Sequence, residues 1–146
     1  MREKDIKIIN HVRANARKSL TKIAREMYLP VTTVFDRLKV SEKKHILRYV
    51  ALLNYNSLGY SAKTHLIVSL DDKDKEAFRN YIMQQPSTNN FFQINSSYNF
   101  FVESIFKDIK EAHQFMQFLK ARFNFKENIS YFVLDDITRE NFQIKI

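Results

Sequence analysis

Two apolar stripes of four residues stand on either side of a break only three residues long. One is Leu20, Ile23, Ala24 and Met27, the other Val31, Val34, Phe35 and Leu38, and residues 28–30 lie between them. Each stripe has the i, i+3, i+4, i+7 spacing that places one apolar face on a helix. Helices joined by so short a turn must cross steeply, the geometry of a helix-turn-helix. A third stripe, Ile6, Ile9 and Val12, runs across residues 5–15 and predicts the helix that closes this small core. Ser19 stands at the N-cap of the second helix. Its N3 residue is Lys22 rather than Glu, which works against the helix dipole but favours a nearby phosphate. Pro30 is tolerated at the start of the third helix, residues 30–41, because a first-turn N–H has no intrahelical partner.

Charge is divided as sharply as pattern. Residues 1–60 hold 13 Lys or Arg against 5 Asp or Glu, whereas residues 61–146 hold 11 against 11, so the whole net charge of +8 lies in the front two-fifths. A basic module that carries a helix-turn-helix points to double-stranded DNA as its polyanion. With Val34 and Leu38 turned inward, Thr32, Thr33, Asp36, Arg37 and Lys39 are left outside to read bases and grip phosphates. Residues 45–53 then read as a β-ribbon or wing, and residues 54–61 as a linker.

Other chemistries are poorly served. There is no Cys, hence no disulfide, thiol nucleophile or thiolate metal site, and the single Gly leaves no Gly-rich phosphate loop. His11, His45, His65 and His113 lack ligand spacing, so no metal, cofactor or catalytic residue is expected. Asp135 and Asp136 are neighbours on a strand and point to opposite faces. No apolar run is long enough to cross a membrane, and the charged opening MREKDIK is no signal peptide, so the expected location is cytoplasmic.

The back half alternates in kind. Strand patterns at residues 63–70, 89–95, 99–106 and 129–136 and helix patterns at 74–85 and 108–123 follow the order β-α-β-β-α-β, with a further short strand expected at 142–146. This is the ferredoxin-like split motif, which lays both helices on one sheet face. Yet Phe91-Phe92, Phe100-Phe101-Val102 and 131–134 are apolar on both faces. A second copy of the sheet is the simplest cover for the open one, which predicts a homodimer.

Residues 1–60 resemble the N-terminal domain of the leucine-responsive/asparagine-regulator (Lrp/AsnC) transcription regulators. The resemblance is carried by 5–9, 16–19, Ile23-Ala24, Leu29, Thr33-Val34, Arg37-Leu38, Glu42, Ile46-Leu47 and Leu58-Gly59. The chain departs from the pattern where Tyr28 and His45 replace glycines and Pro30 replaces a serine. If Tyr28 keeps a left-handed backbone, the strain is on the order of 1 kcal/mol. The resemblance implies an α+β protein, with a winged helix-turn-helix in 1–53, a linker in 54–61 and a dimerising ferredoxin-like domain in 62–146. It also implies a regulator that binds pseudo-palindromic DNA as a dimer or higher oligomer. DNA contacts are expected from Arg17, Lys18, Ser19, Lys22, Thr32, Thr33, Asp36, Arg37, Lys39, Lys43, Lys44 and Arg48. In family members that sense amino acids, a Gly-x-x-Asp element between the second and third strands helps form the site; here it aligns with Asn95, Ser96, Tyr98 and Asn99. Two alternatives stay open: an architectural nucleoid protein that bends DNA broadly, and an enzyme resembling the siroheme decarboxylases, for which only His65, His113, Arg79, Arg122 and Arg139 could serve.

Overall fold

The protein, described here by a computed structural model of residues 2–146, divides into two compact units. The first runs to Leu52 and takes in Ile137–Ile146; the second is Leu53–Asp136. Helices α1 (Glu3–Ala14), α2 (Leu20–Met27) and α3 (Val31–Lys44) build the first. Each gives apolar residues to one core of Ile8, Val12, Ile23, Ala24 and Val34, flanked by Leu20, Met27, Leu29, Leu38 and Ile46; on α1, Ile9 and Val12 of the expected stripe are buried, but Ile8 takes the place of the half-buried Ile6. Ser19 caps α2 as its position demands, its hydroxyl accepting the Lys22 N–H at 3.2 Å. The helix ends at Tyr28, which is left-handed at φ 53° and ψ 46°. That reversal lets the Leu29 N–H reach the Ala24 carbonyl at 3.0 Å and turns the chain into α3.

Other expectations about this unit are corrected. Val31 and Phe35 are exposed rather than packed, because a three-helix core needs only one stripe of α3 and Val34 with Leu38 supplies it. Helix α3 extends to Lys44, and no strand forms at 45–53. A ribbon needs two adjacent strands, and no other segment of this unit is a strand. The chain end, 142–146, is not a strand either. It lies along α1, where the Asn10 carboxamide donates to the Ile144 carbonyl at 2.9 Å and accepts the Ile144 N–H at 3.0 Å. Arg13 adds a bond to the Phe142 carbonyl at 2.6 Å and a pair with Glu140 at 3.0 Å. Backbone groups that would otherwise seek a ladder partner are thus satisfied by side chains.

The second unit is an antiparallel sheet of β1 (Ala62–Leu70), β2 (Thr88–Gln93), β3 (Phe100–Phe106) and β4 (Phe125–Phe132) in the order β2-β3-β1-β4. A short 3-10 turn at Asn56–Leu58 leads into it, closed by left-handed Gly59. Helices α4 (Asp72–Met83) and α5 (Ile109–Arg122) cover one face. Strand alternation sends Leu66, Val68, Leu70, Phe100 and Val102 to those helices. Phe78, fully buried, is the centre of this core, with the rings of Phe91, Phe100, Phe123 and Phe125 packed around it. The last strand begins four residues ahead of its expected start at 129. The polar run Lys126, Glu127 and Asn128 hides its pattern, which an edge strand tolerates because much of it meets solvent.

The opposite face carries Ile67, Phe92, Phe101, Ile129 and Tyr131, and no helix of this unit covers it. Phe92, Ile129 and Tyr131 are each about half exposed, at 52%, 46% and 45%. In its midst His65 contacts the Glu103 carboxylate at 2.7 Å and the Tyr131 hydroxyl at 3.2 Å. Burial pushes the Glu103 carboxyl up, but hydrogen bonds from His65, Asn89 and Asn90 outweigh it and hold the group below its usual value.

Candidate nucleic-acid interface

The outward face of α3 is set by what the core takes. Removing Val34, Leu38 and the buried Ser41 leaves Val31, Thr32, Phe35, Asp36 and Lys39 as one exposed stripe, with Thr33 half-buried at its edge. Lys39 leans over the Phe35 ring at 5.8 Å. Thr32, Thr33 and Asp36 thus lie on or beside this face, as the sequence suggested. Val31 and Phe35, which sequence reading assigned inward, join them. The missed signal is geometric: i and i+4 positions beside an already sufficient stripe face out.

Basic side chains surround this helix in two states. Arg37 is tied to Asp5 of α1 at 2.7 Å, and this hydrogen bond holds the Asp5 carboxyl below its ordinary value. Lys18 is tied to Glu26, whose carboxyl it lowers, and lies 3.1 Å from His11 Nδ1. These two expected contacts are therefore engaged inside the unit, bracing one helix against another. Glu42 accepts from Tyr49 at 2.8 Å; burial first, and then this carboxylate, push the Tyr49 hydroxyl up to about 12.

The remaining candidates, Arg17, Lys22, Lys39, Lys43, Lys44 and Arg48, form no ion pair among the described residues, although Lys22 is near enough to Glu26 to help lower its carboxyl. They fall at the entrance of α2, along α3 and just beyond it. Apart from Lys22, their field is uncompensated, which is what attracts a polyanion. Ser19 and Lys22 stand at the N-terminus of α2, where backbone N–H groups favour a phosphate.

A model described as winged helix-turn-helix DNA-binding matches residues 1–48. Across nearly the whole chain the sequence is similar to an HTH-type transcriptional regulator of Pyrococcus abyssi, 22% identical over 144 residues, 98% of this chain and 97% of the relative. The HTH-type transcriptional regulator Ptr1 of Methanocaldococcus jannaschii is 28% identical over 113 residues, covering 77% of this chain and 76% of its own. Among solved structures, a Neisseria meningitidis transcriptional regulator in complex with L-Met superposes with a TM-score of 0.86 at 22% identity, covering 95% of this chain and 93% of that one. An AsnC family regulator from Agrobacterium tumefaciens gives 0.83 at 16% identity and covers 100% and 96%. LrpC of B. subtilis gives 0.84 at 16% identity, covering 94% and 97%. This chain is a helix-turn-helix protein of Lrp/AsnC fold.

On this Lrp/AsnC frame the loop Asn95, Ser96, Tyr98 and Asn99 joins β2 to β3, as the sequence alignment anticipated. Much of its polarity is used locally. The Asn99 carboxamide oxygen accepts the Leu70 N–H at 2.8 Å, and its backbone N–H donates to the Val68 carbonyl at 2.8 Å. The Ser96 hydroxyl accepts the Tyr98 N–H at 3.0 Å. Asn99 thereby pins the hairpin loop to the end of β1.

Proposed function

We propose that this chain is a sequence-specific DNA-binding transcription regulator that works as a dimer or higher oligomer in the cytoplasm. The observation that carries the reading is a helix-turn-helix whose exposed α3 face lies among six cations that form no ion pair among the described residues. Helix α3 enters the major groove with Thr32, Thr33 and Asp36 toward the base edges. Val31 and Phe35 add apolar surface suited to thymine methyl groups. Arg17, Lys22, Lys39, Lys43, Lys44 and Arg48 hold phosphates, with Ser19 at the helix end, while Lys18 and Arg37 act by positioning the helices. Two copies joined through the open sheet face present two such helices, which calls for half-sites about 34 Å apart or a multiple of that. The reading is of a binding protein and not an enzyme: His65 and His11 are engaged in local pairs with Glu103 and Lys18. A small-molecule effector at Asn95, Ser96, Tyr98 and Asn99 has to use what the loop's own bonds leave free, chiefly the Asn99 amide N–H groups and the Tyr98 ring.

The test is the salt dependence of DNA binding. Replacing Lys39, Lys43 and Lys44 together by Ala should weaken binding and flatten the slope of log K against log salt by about 0.9 for each phosphate no longer neutralised. An unchanged slope would remove α3 from the DNA.

A further inference from the structure

A cavity of about 300 Å³ opens between α5 and the β1-β4 side of the sheet, on the helix-covered face. Strand register lines up its floor. Thr64 pairs with Ser104 on β3, and the neighbouring row sets Leu66 between Val102 and Ser130. Three hydroxyl-bearing side chains from three adjacent strands therefore line one space. Ser104 is 2% exposed, and none of the three side-chain hydroxyls makes a hydrogen bond among the described residues. No polar side-chain atom among those residues is sealed off without a partner, so these hydroxyls keep what access they have through the cavity. Of the three only Ser104 is buried, and a buried hydroxyl is nearly always satisfied, by protein or by a bound molecule. Met116 of α5, with Leu66 and Val102, supplies apolar wall. His113 and Lys120, two helical turns apart on the same helix, stand exposed at the mouth. No Asp or Glu lines the cavity.

We propose that this cavity is a binding site for a small monocarboxylate with a branched or short aliphatic body. The carboxylate sits at the mouth against Lys120, with His113 as a second donor, and the body lies on Met116, Leu66 and Val102. The hydroxyls of Thr64, Ser104 and Ser130 take up remaining polar contacts or bound water. The space equals about ten water molecules, enough for an acid of roughly eight non-hydrogen atoms. Lack of any carboxylate in the lining selects against a zwitterion, because an α-ammonium would be desolvated without a partner. The site is separate from the β2-β3 loop and does not rest on the DNA-binding reading.

Met116 provides a reporter, since the chain has only three other methionines, at positions 1, 27 and 83. The full-length protein carrying 13C-methyl methionine is titrated with 4-methylpentanoate, leucine and 4-methylpentanamide, which differ only in the ammonium and in the charge of the head group. The Met116 methyl should shift saturably with 4-methylpentanoate while those of Met27 and Met83 stay in place. Leucine and the amide should each bind at least five-fold more weakly, and Lys120→Gln should weaken the acid by a similar factor. No saturable shift at Met116 overturns the site. Tighter binding of leucine or the amide, or unaltered affinity in Lys120→Gln, overturns the ligand class.

Discussion

The Asp5–Arg37 pair shows a role that residue identity alone does not reveal. Both are half-buried, at 22% and 23% side-chain exposure, and they fasten α1 to α3 at 2.7 Å. Arg37→Ala should therefore lower the unfolding temperature by several degrees, the effect of about 1 kcal/mol in a domain this small. Because Asp5 has a depressed pKa when folded, its contribution is complete above the unfolded value near 3.8 and is lost as pH falls through the folded one. Thermal melts of wild type and Arg37→Ala should therefore converge as the pH is lowered below about 4; a gap that stayed constant would mean the pair is not the source. Tyr28 was legible as a strained position from sequence, because its alignment with a glycine anticipated the left-handed turn that is found. Its side chain is 95% exposed, so Tyr28→Gly loses no packing. It should raise stability by about 0.5 kcal/mol, the relief of left-handed strain less the extra freedom glycine gives the unfolded chain.

At the scale of elements, the helices and the four strands could be read, β4 with shifted bounds, because burial against a core imposes a period on sequence. Where no such burial exists, sequence fell silent. Residues 45–53 are a largely apolar run that reads like a strand, yet Leu47, Val50 and Leu52 remain exposed and no ladder forms. A strand depends on a partner that its own pattern cannot supply. The last ten residues fail in the opposite sense. Their attachment to α1 rests on Asn10 and Arg13, two polar residues whose sequence neighbours give no hint of a contact more than 120 positions away. Asn10→Ala should free this segment. Amide exchange at Ile144 should accelerate at least ten-fold, with α2 and α3 unaffected; protection equal to wild type would show that the tail is held by something else. In the candidate interface, the hydroxyls and Asp36 of α3 were legible from spacing. The engagement of Lys18 and Arg37 was not, since it depends on which acids the fold brings near.

For the whole molecule, the division of charge and the division into two units almost coincide. The exception is the tail, which crosses back to the first unit after Asp136. The second unit leaves Phe92, Phe101, Ile129 and Tyr131 on an uncovered sheet face, and self-association is the simplest way to remove that surface from water. Phe101→Glu places a charge there, beside Glu103. Sedimentation should then report monomer where wild type is dimer or larger, with helical content retained; wild-type sedimentation of the well-folded variant would contradict a dimer through this face. On the proposed reading neither half by itself accounts for regulation: the first would supply the DNA grip, and the second the copy number that sets half-site spacing.

The most direct measurement is fluorescence anisotropy of the full-length protein with DNA from upstream of its own gene and with a scrambled fragment of equal composition, across a salt series. A sequence-specific regulator predicts steep salt dependence on both fragments and at least a hundred-fold preference for the upstream one at physiological salt. Equal affinity for both would instead indicate an architectural DNA-binding protein, and absence of binding to either would contradict the helix-turn-helix account.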